Sequence, residues 1–191
     1  MTTNKISIIR AMILSITCFA VSSQLNGQVT SEVTPFAYNV YRGVQIAPAE
    51  NEPARLQESD NSHVELRAGF TLSSVEAPVW VEFQGIAGPF TTELNSLSVE
   101  SFAGTPGLTA TVEMWNWNSN QWDEVGQFGE AFANQDSTEE VVLPASAFEN
   151  YVNDDNSLMK TRIGWRQTGF VINNPWQVNI DELVWKGSFD F

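Results

Sequence analysis

Apolar and polar positions alternate through most of the chain beyond residue 36. Val79, Val81 and Phe83 interleave with Trp80 and Glu82, and Val112 and Met114 with Glu113, Trp115 and Trp117. Thr161, Ile163 and Trp165 interleave with Arg162 and Arg166. A period of two is the mark of a strand with one face turned inward. The first member of each set is therefore expected inside and the second outside. Alternating or β-rich runs cover His63–Phe70, Pro78–Ile86, Leu94–Phe102, Leu108–Trp117, Gln121–Phe128, Glu139–Leu143, Met159–Gln167 and Trp176–Lys186. Ahead of them, Phe36 to Ile46 reads as a first strand with Val40, Val44 and Ile46 on one face. Val29 to Pro35 reads as a polar lead-in, and Ala47 to Ala54 as a loop. Strands spaced by ~8–12 residues with turn signals between them predict an all-β sandwich or barrel. Gly85, Gly88-Pro89, Gly104 to Gly107 and Asn173-Asn174-Pro175 supply the punctuation. Val178 and Ile180 face inward, whereas Leu183 and Trp185 break that phase, which predicts a bulge around Asp181-Glu182. Ser146 to Glu149 has the S-x-x-E form of a capping box and predicts one short helix.

The first 28 residues have a different character. Lys5 and Arg10 precede the uncharged apolar run Ala11 to Val21, and Ser22 and Ser23 follow it. This is the layout of a cleaved secretory signal peptide. The run is shorter than the ~20 residues a membrane-spanning helix needs. Residues 1–28 are thus read as a leader with a short polar lead, and 29–191 as a single domain. Its expected address is the periplasm, the cell surface or the extracellular space, with no membrane insertion after cleavage. Cys18 is the one cysteine and lies inside the leader, so the mature domain has no disulfide or thiolate metal site. Thr17 before Cys18, and the apolar run continuing through Phe19-Ala20-Val21, disfavour a lipid anchor there.

The chain carries 9 basic and 23 acidic residues and a formal charge of −14. That balance opposes binding to nucleic acid or an anionic membrane, both of which require phosphate to be neutralised. Catalytic signatures are sparse. His63 is the single histidine, which excludes a two- or three-histidine metal centre, and no G-x-S-x-G elbow is present. His63 reads as a plain surface or hydrogen-bonded histidine. Glu82, Glu100 and Glu113 fall on outward faces and read as solvated. Lys160, Arg162 and Arg166 form the sole basic cluster and are expected to pair with acids on adjacent strands.

Met114 to Trp122 (MWNWNSNQW) holds three of the seven tryptophans. Asn118-Ser119-Asn120 sits between two β-rich runs, and asparagine tolerates the positive φ of tight hairpins. Trp115 and Trp117 would share an outward face, with Trp122 across the turn. Outward aromatics of this kind make an apolar patch that calls for a partner. Pyranose rings stack on indoles, and their hydroxyls need polar partners at the ring edge. Asn116, Asn118, Gln121 and Asp123 are placed to supply them. The competing reading is that the tryptophans pack on one another or under a loop.

Three segments carry a family likeness: ESDNSHVEL (Glu58 to Leu66), WNWNSNQWDEV (Trp115 to Val125) and KTRIGW…WQVNIDELVW (Lys160 to Trp185). Over most of 36–186 the chain resembles the galactose-binding-like jelly rolls, which include many carbohydrate-binding modules. It is also similar to a module common in exported bacterial proteins. The resemblance implies an antiparallel β-sandwich of jelly-roll type. It also implies a structural calcium near the chain ends, for which Asp60 (beside Glu58 and Asn61) and Asp181 are the matching positions. A solvated acidic turn at Asp60 and a surface acid at Asp181 are the plain alternatives.

The sequence therefore leads to an exported, non-catalytic binding module. A polysaccharide or glycan would be held by Trp115, Trp117 and Trp122 with polar contacts from Asn116, Asn118, Gln121 and Asp123. An adhesive cell-surface domain contacting another protein, and a carbohydrate-active enzyme, are the alternatives.

Overall fold

A computed structural model of the chain describes residues 29–48, 51–71, 76–129, 136–168 and 176–189. The leader and the Asn173-Asn174-Pro175 turn lie outside the described residues. The strands, in chain order, are β1 (Val29–Val33), β2 (Ala37–Arg42), β3 (Val44–Ala47), β4 (Val64–Arg67), β5 (Val79–Ile86) and β6 (Glu93–Ala103). They continue with β7 (Leu108–Asn116), β8 (Gln121–Gly129), β9 (Ser137–Val142), β10 (Leu158–Gln167) and β11 (Gln177–Phe189). One short helix, α1 (Ala147–Tyr151), lies between β9 and β10.

The strands make two antiparallel sheets, the all-β sandwich of jelly-roll type that was expected. One is 6-stranded, with order β3-β4-β11-β6-β9 and β1 also paired to β11. The other is 5-stranded, with order β2-β5-β10-β7-β8. The long β11 organises the first sheet. β6 runs along one of its edges, while β4 and then β1 share the other.

The inward residues are those the alternation marks. Val79, Val81, Phe83, Val112, Met114, Thr161, Ile163 and Trp165 from the second sheet are all fully buried. They face Leu97, Val99, Ile180, Leu183 and Trp185 from the first. The register shift between Ile180 and Glu182 is the expected bulge, and it turns Leu183 and Trp185 back into the core. Trp185 ties the two sheets together, because its indole N–H donates to the buried Thr161 hydroxyl at 2.9 Å. Gly85 makes room for that indole, since a Cβ there would lie 2.6 Å from the Trp185 ring.

Three local expectations need correction. Phe36 to Ile46 is not one strand. Gly43 takes a φ of +98°, and the chain leaves the 5-stranded sheet as β2 and joins the other as β3. The switch reverses the inside-outside pattern, so Val44 and Ile46 are exposed. Val29 to Val33 is a paired strand rather than a lead-in, because β11 is long enough to offer it an edge. The helix forms, but Ser146 makes no side-chain cap. Its hydroxyl instead accepts from Asn150 Nδ2 at 3.1 Å.

The bulge also sets Glu182 directly opposite Glu100 on β6. Burial first, and then Glu100, Glu32 and Asp181, hold the Glu182 carboxyl above its ordinary pKa. A carboxyl raised in the folded state contributes fully only below its unfolded pKa, and the contribution is lost as pH rises through the folded value. Glu182→Gln is therefore expected to raise the thermal midpoint by about 1–3 °C at neutral pH. Below about pH 4 the gain should vanish. Paired melting curves at the two pH values measure this, and a gain that persists in acid would contradict it.

Candidate functional site

The outward face of the 5-stranded sheet is built around β10, its middle strand. The register places Asn39, Glu82, Arg162, Glu113 and Glu124 in one row across it. Arg162 Nε donates to Glu113 Oε2 at 2.6 Å, and its Nη2 to Oε1 at 2.8 Å. This two-pronged pair fixes the plane of the guanidinium. The guanidinium carbon then lies 4.4 Å from the Trp80 ring centre and 4.5 Å from that of Trp122. Both are cation–π distances. Gly164 lies opposite Trp80 in the register; a Cβ there would come within 2.9 Å of the Ala77 methyl and only into ordinary contact, at 3.7 Å, with the indole. The expected pairing of the basic cluster with neighbouring acids is thus seen at Arg162.

Glu82 and Glu113 are not solvated sheet acids. Glu82 is only 5% exposed. Its Oε2 accepts from the Tyr41 hydroxyl and its Oε1 from Gln84 Nε2, both at 2.9 Å, and Lys160 Nζ lies 3.8 Å away. The hydrogen bond to Glu82 is the main reason the Tyr41 hydroxyl is held above its ordinary pKa. Tyr41 itself stays largely exposed. Arg42 pairs with Glu76. A register shift between Val40 and Arg42 lets both Tyr41 and Arg42 border the same space. The result is a solvent-facing cleft of about 390 Å³ lined by Tyr41, Arg42, Trp80, Glu82, Trp122 and Arg162.

The tryptophan hairpin borders this cleft at one point. Trp115 pairs directly with Trp122, and Asn120 takes the anticipated positive φ of 54°. Trp115 packs edge-on against Trp117 and Trp122, with ring centres 6.3 and 5.4 Å apart. The Trp117 indole N–H donates to the Tyr151 carbonyl at 3.2 Å, and Lys160 Nζ sits 5.8 Å from its ring centre. Asn118 Nδ2 donates to the Glu149 carbonyl at 3.0 Å and to Asn150 Oδ1 at 3.1 Å. The hairpin tip is thereby docked on α1.

Asn116 Oδ1 accepts the backbone N–H groups of Asn118 and Ser119 at 3.0 and 3.1 Å, and its Nδ2 donates to Asp123 Oδ2 at 2.7 Å. The side chains of Asn116, Asn118 and Asp123 are therefore engaged in holding the turn. Gln121 is exposed at the start of β8. Of the residues expected in the site, Trp122 alone lines the cleft. Tyr41, Arg42, Trp80, Glu82 and Arg162 complete it, and sequence reasoning did not join them. The outward position of Trp80, Glu82 and Arg162 was legible, but the register that sets β5 beside β10 was not.

The two expected calcium positions differ in their surroundings. Asp60 is exposed, and its Oδ1 accepts the Ser62 backbone N–H at 2.8 Å, as in a local turn. Asp181 is not a surface acid but 1% exposed. Its Oδ2 accepts the Asn61 backbone N–H at 3.2 Å, while its Oδ1 is buried and has no hydrogen-bond partner among the described residues. Burial is the main cause of its raised pKa. His63 and Asp136 lie beside it, with His63 Nε2 3.1 Å from Asp136 Oδ1 and the imidazole edge-on to Phe102 at 5.0 Å.

No family model matches the chain, and no curated protein matches it. Among solved structures it is similar to a mutant of a family 29 carbohydrate-binding module. That match has a TM-score of 0.46 and 11% identity, over 83% of this chain and 85% of the other. A CBM4 structure matches with a TM-score of 0.46 and 14% identity, over 79% and 94% of the two chains. A truncated AlyQ with CBM32 and alginate lyase domains matches with a TM-score of 0.48 and 10% identity. That match covers 86% of this chain and 35% of AlyQ, so this chain spans about a third of that protein's length.

Proposed function

We propose that the protein is a non-catalytic carbohydrate-binding module of an exported protein, and that it holds a neutral polysaccharide in the cleft of Tyr41, Trp80, Glu82, Trp122 and Arg162. The observation that supports this reading is the clamped Arg162. Glu113 fixes its fork and two indoles flank it, so rigid donors and apolar planes meet in one open groove. A sugar presents the complementary surface, with apolar ring faces bordered by hydroxyls. Tyr41 and Glu82 offer a further donor and acceptor beside it. A preformed site of this kind orders few groups on binding, which lowers the entropic cost.

Charge favours a neutral ligand. Each cation at the cleft is paired with an acid: Arg162 with Glu113, Lys160 with Glu82 and Arg42 with Glu76. The chain's formal charge of −14 also repels polyanions.

Retention on immobilised neutral and uronate polysaccharides tests this reading. The wild-type protein is expected to be retained by at least one neutral polymer and by no uronate polymer. Trp122→Ala, which removes one wall of the cleft, is expected to weaken binding at least tenfold, or about 1.4 kcal/mol. Unchanged retention in Trp122→Ala would remove the cleft from consideration.

A further inference from the structure

We propose that His63, Asp136 and Asp181 form a binding site for a divalent first-row transition ion of the zinc class, at one end of the 6-stranded sheet. Two of the three residues flank the starts of strands and the third sits at a bulge within another. His63 immediately precedes β4, Asp136 immediately precedes β9, and Asp181 is the bulged residue of β11. Register brings them together, because Val64 pairs with Ile180, Ile180 with Ser101, and Ser101 with Ser137. Each offers one ligand atom, and these atoms all lie within 4.8 Å of one another. Between His63 Nε2 and Asp136 Oδ1 the distance is 3.1 Å. A tetrahedral centre with arms of ~2.0 Å has edges of about 3.3 Å.

Asp181 marks the site independently of that clustering. At 1% exposure its Oδ1 is buried and finds no donor among the described residues, although Oδ2 is anchored by the Asn61 N–H. An unpaired carboxylate oxygen out of water is costly unless something positive meets it. A cation bound to Oδ1 would supply that partner. It would also offset the repulsion from Asp136 and Asp60, both of which act on Asp181.

The donor set argues for the class of metal. Calcium takes ~6–8 oxygen ligands. Here the cluster offers an imidazole nitrogen and two carboxylates, and Asp60 is outside it with one oxygen committed to Ser62. These residues do not fit the calcium site that the family resemblance implies. An imidazole with carboxylates suits zinc and its neighbours, with water filling the open position. The ion would tie β4, β11 and β9 at one end of the sheet.

The test uses the full chain, stripped with a chelator and titrated with Zn²⁺, Co²⁺ or Ca²⁺. Zn²⁺ is expected to raise the thermal midpoint by several degrees and Ca²⁺ to leave it unchanged. Co²⁺ should give the visible absorption of a low-coordinate site containing nitrogen. In His63→Gln and in Asp181→Asn both the zinc shift and the cobalt band should be lost. Asp181→Asn removes an unpaired buried charge, so its metal-free form should fold at least as well as the wild type. Three outcomes would overturn the proposal: an equal or larger shift with Ca²⁺, no shift with any ion, or a zinc shift that survives in both variants. The polysaccharide cleft is on the other sheet, so retention reports on it separately.

Discussion

Gly85→Ala is expected to lower the thermal midpoint by roughly 6–12 °C, the equivalent of about 3 kcal/mol. The new methyl would meet three atoms of the Trp185 ring at 2.6, 3.0 and 3.3 Å. That ring is fully buried and has nowhere to move without breaking its hydrogen bond to Thr161. The substitution thus combines overpacking with a stranded indole N–H, each worth about 1–3 kcal/mol. A double-mutant cycle isolates the cause. In a Trp185→Leu background the ring is gone, and the cost of Gly85→Ala should fall below about 1 kcal/mol. Equal costs in the two backgrounds would show that the glycine is required for some other reason.

Arg162→Ala is the most damaging change foreseen for binding. It removes the cation between Trp80 and Trp122 and leaves the half-buried Glu113 without its partner. Affinity for the retained polysaccharide should fall at least 100-fold, which corresponds to about 2.7 kcal/mol. The midpoint should drop by roughly 4–8 °C, because a charged hydrogen-bonded pair of this exposure is worth about 2 kcal/mol. Arg162→Lys separates the two effects. It keeps the charge and most of the stability but has no planar fork to fill the gap between the indoles. If Arg162→Lys binds as the wild type does, the geometry of the guanidinium plays no part in recognition.

Much of the fold is written in the alternation. Val79-Val81-Phe83, Val112-Met114 and Thr161-Ile163-Trp165 point inward as their period dictates. The phase break before Leu183 marks a real bulge. What escaped is what period alone cannot carry. Gly43 hands the chain from one sheet to the other, and no hydrophobic pattern announces which sheet receives Val44. The cleft was hidden for a related reason. Trp80, Glu82 and Arg162 were recognisable as outward residues, yet only strand order shows them to be neighbours. Tyr41 joins them because a bulge suspends the alternation in β2. The tryptophan hairpin drew attention through composition. Composition does not reveal that Trp117 and Asn118 are fastened to α1, a segment far along the chain.

The position of β11 has a consequence for biosynthesis. β1, β4 and β6, its three hydrogen-bonded neighbours, all precede it in the chain. A growing polypeptide would carry these strands with their central seam missing, so the 6-stranded sheet can knit together only after β11 has been made. Such late, long-range closure is slow compared with helical folding, and it leaves strand edges exposed while it waits. A nascent chain halted before β11 would therefore be a substrate for chaperones rather than a smaller version of the finished domain.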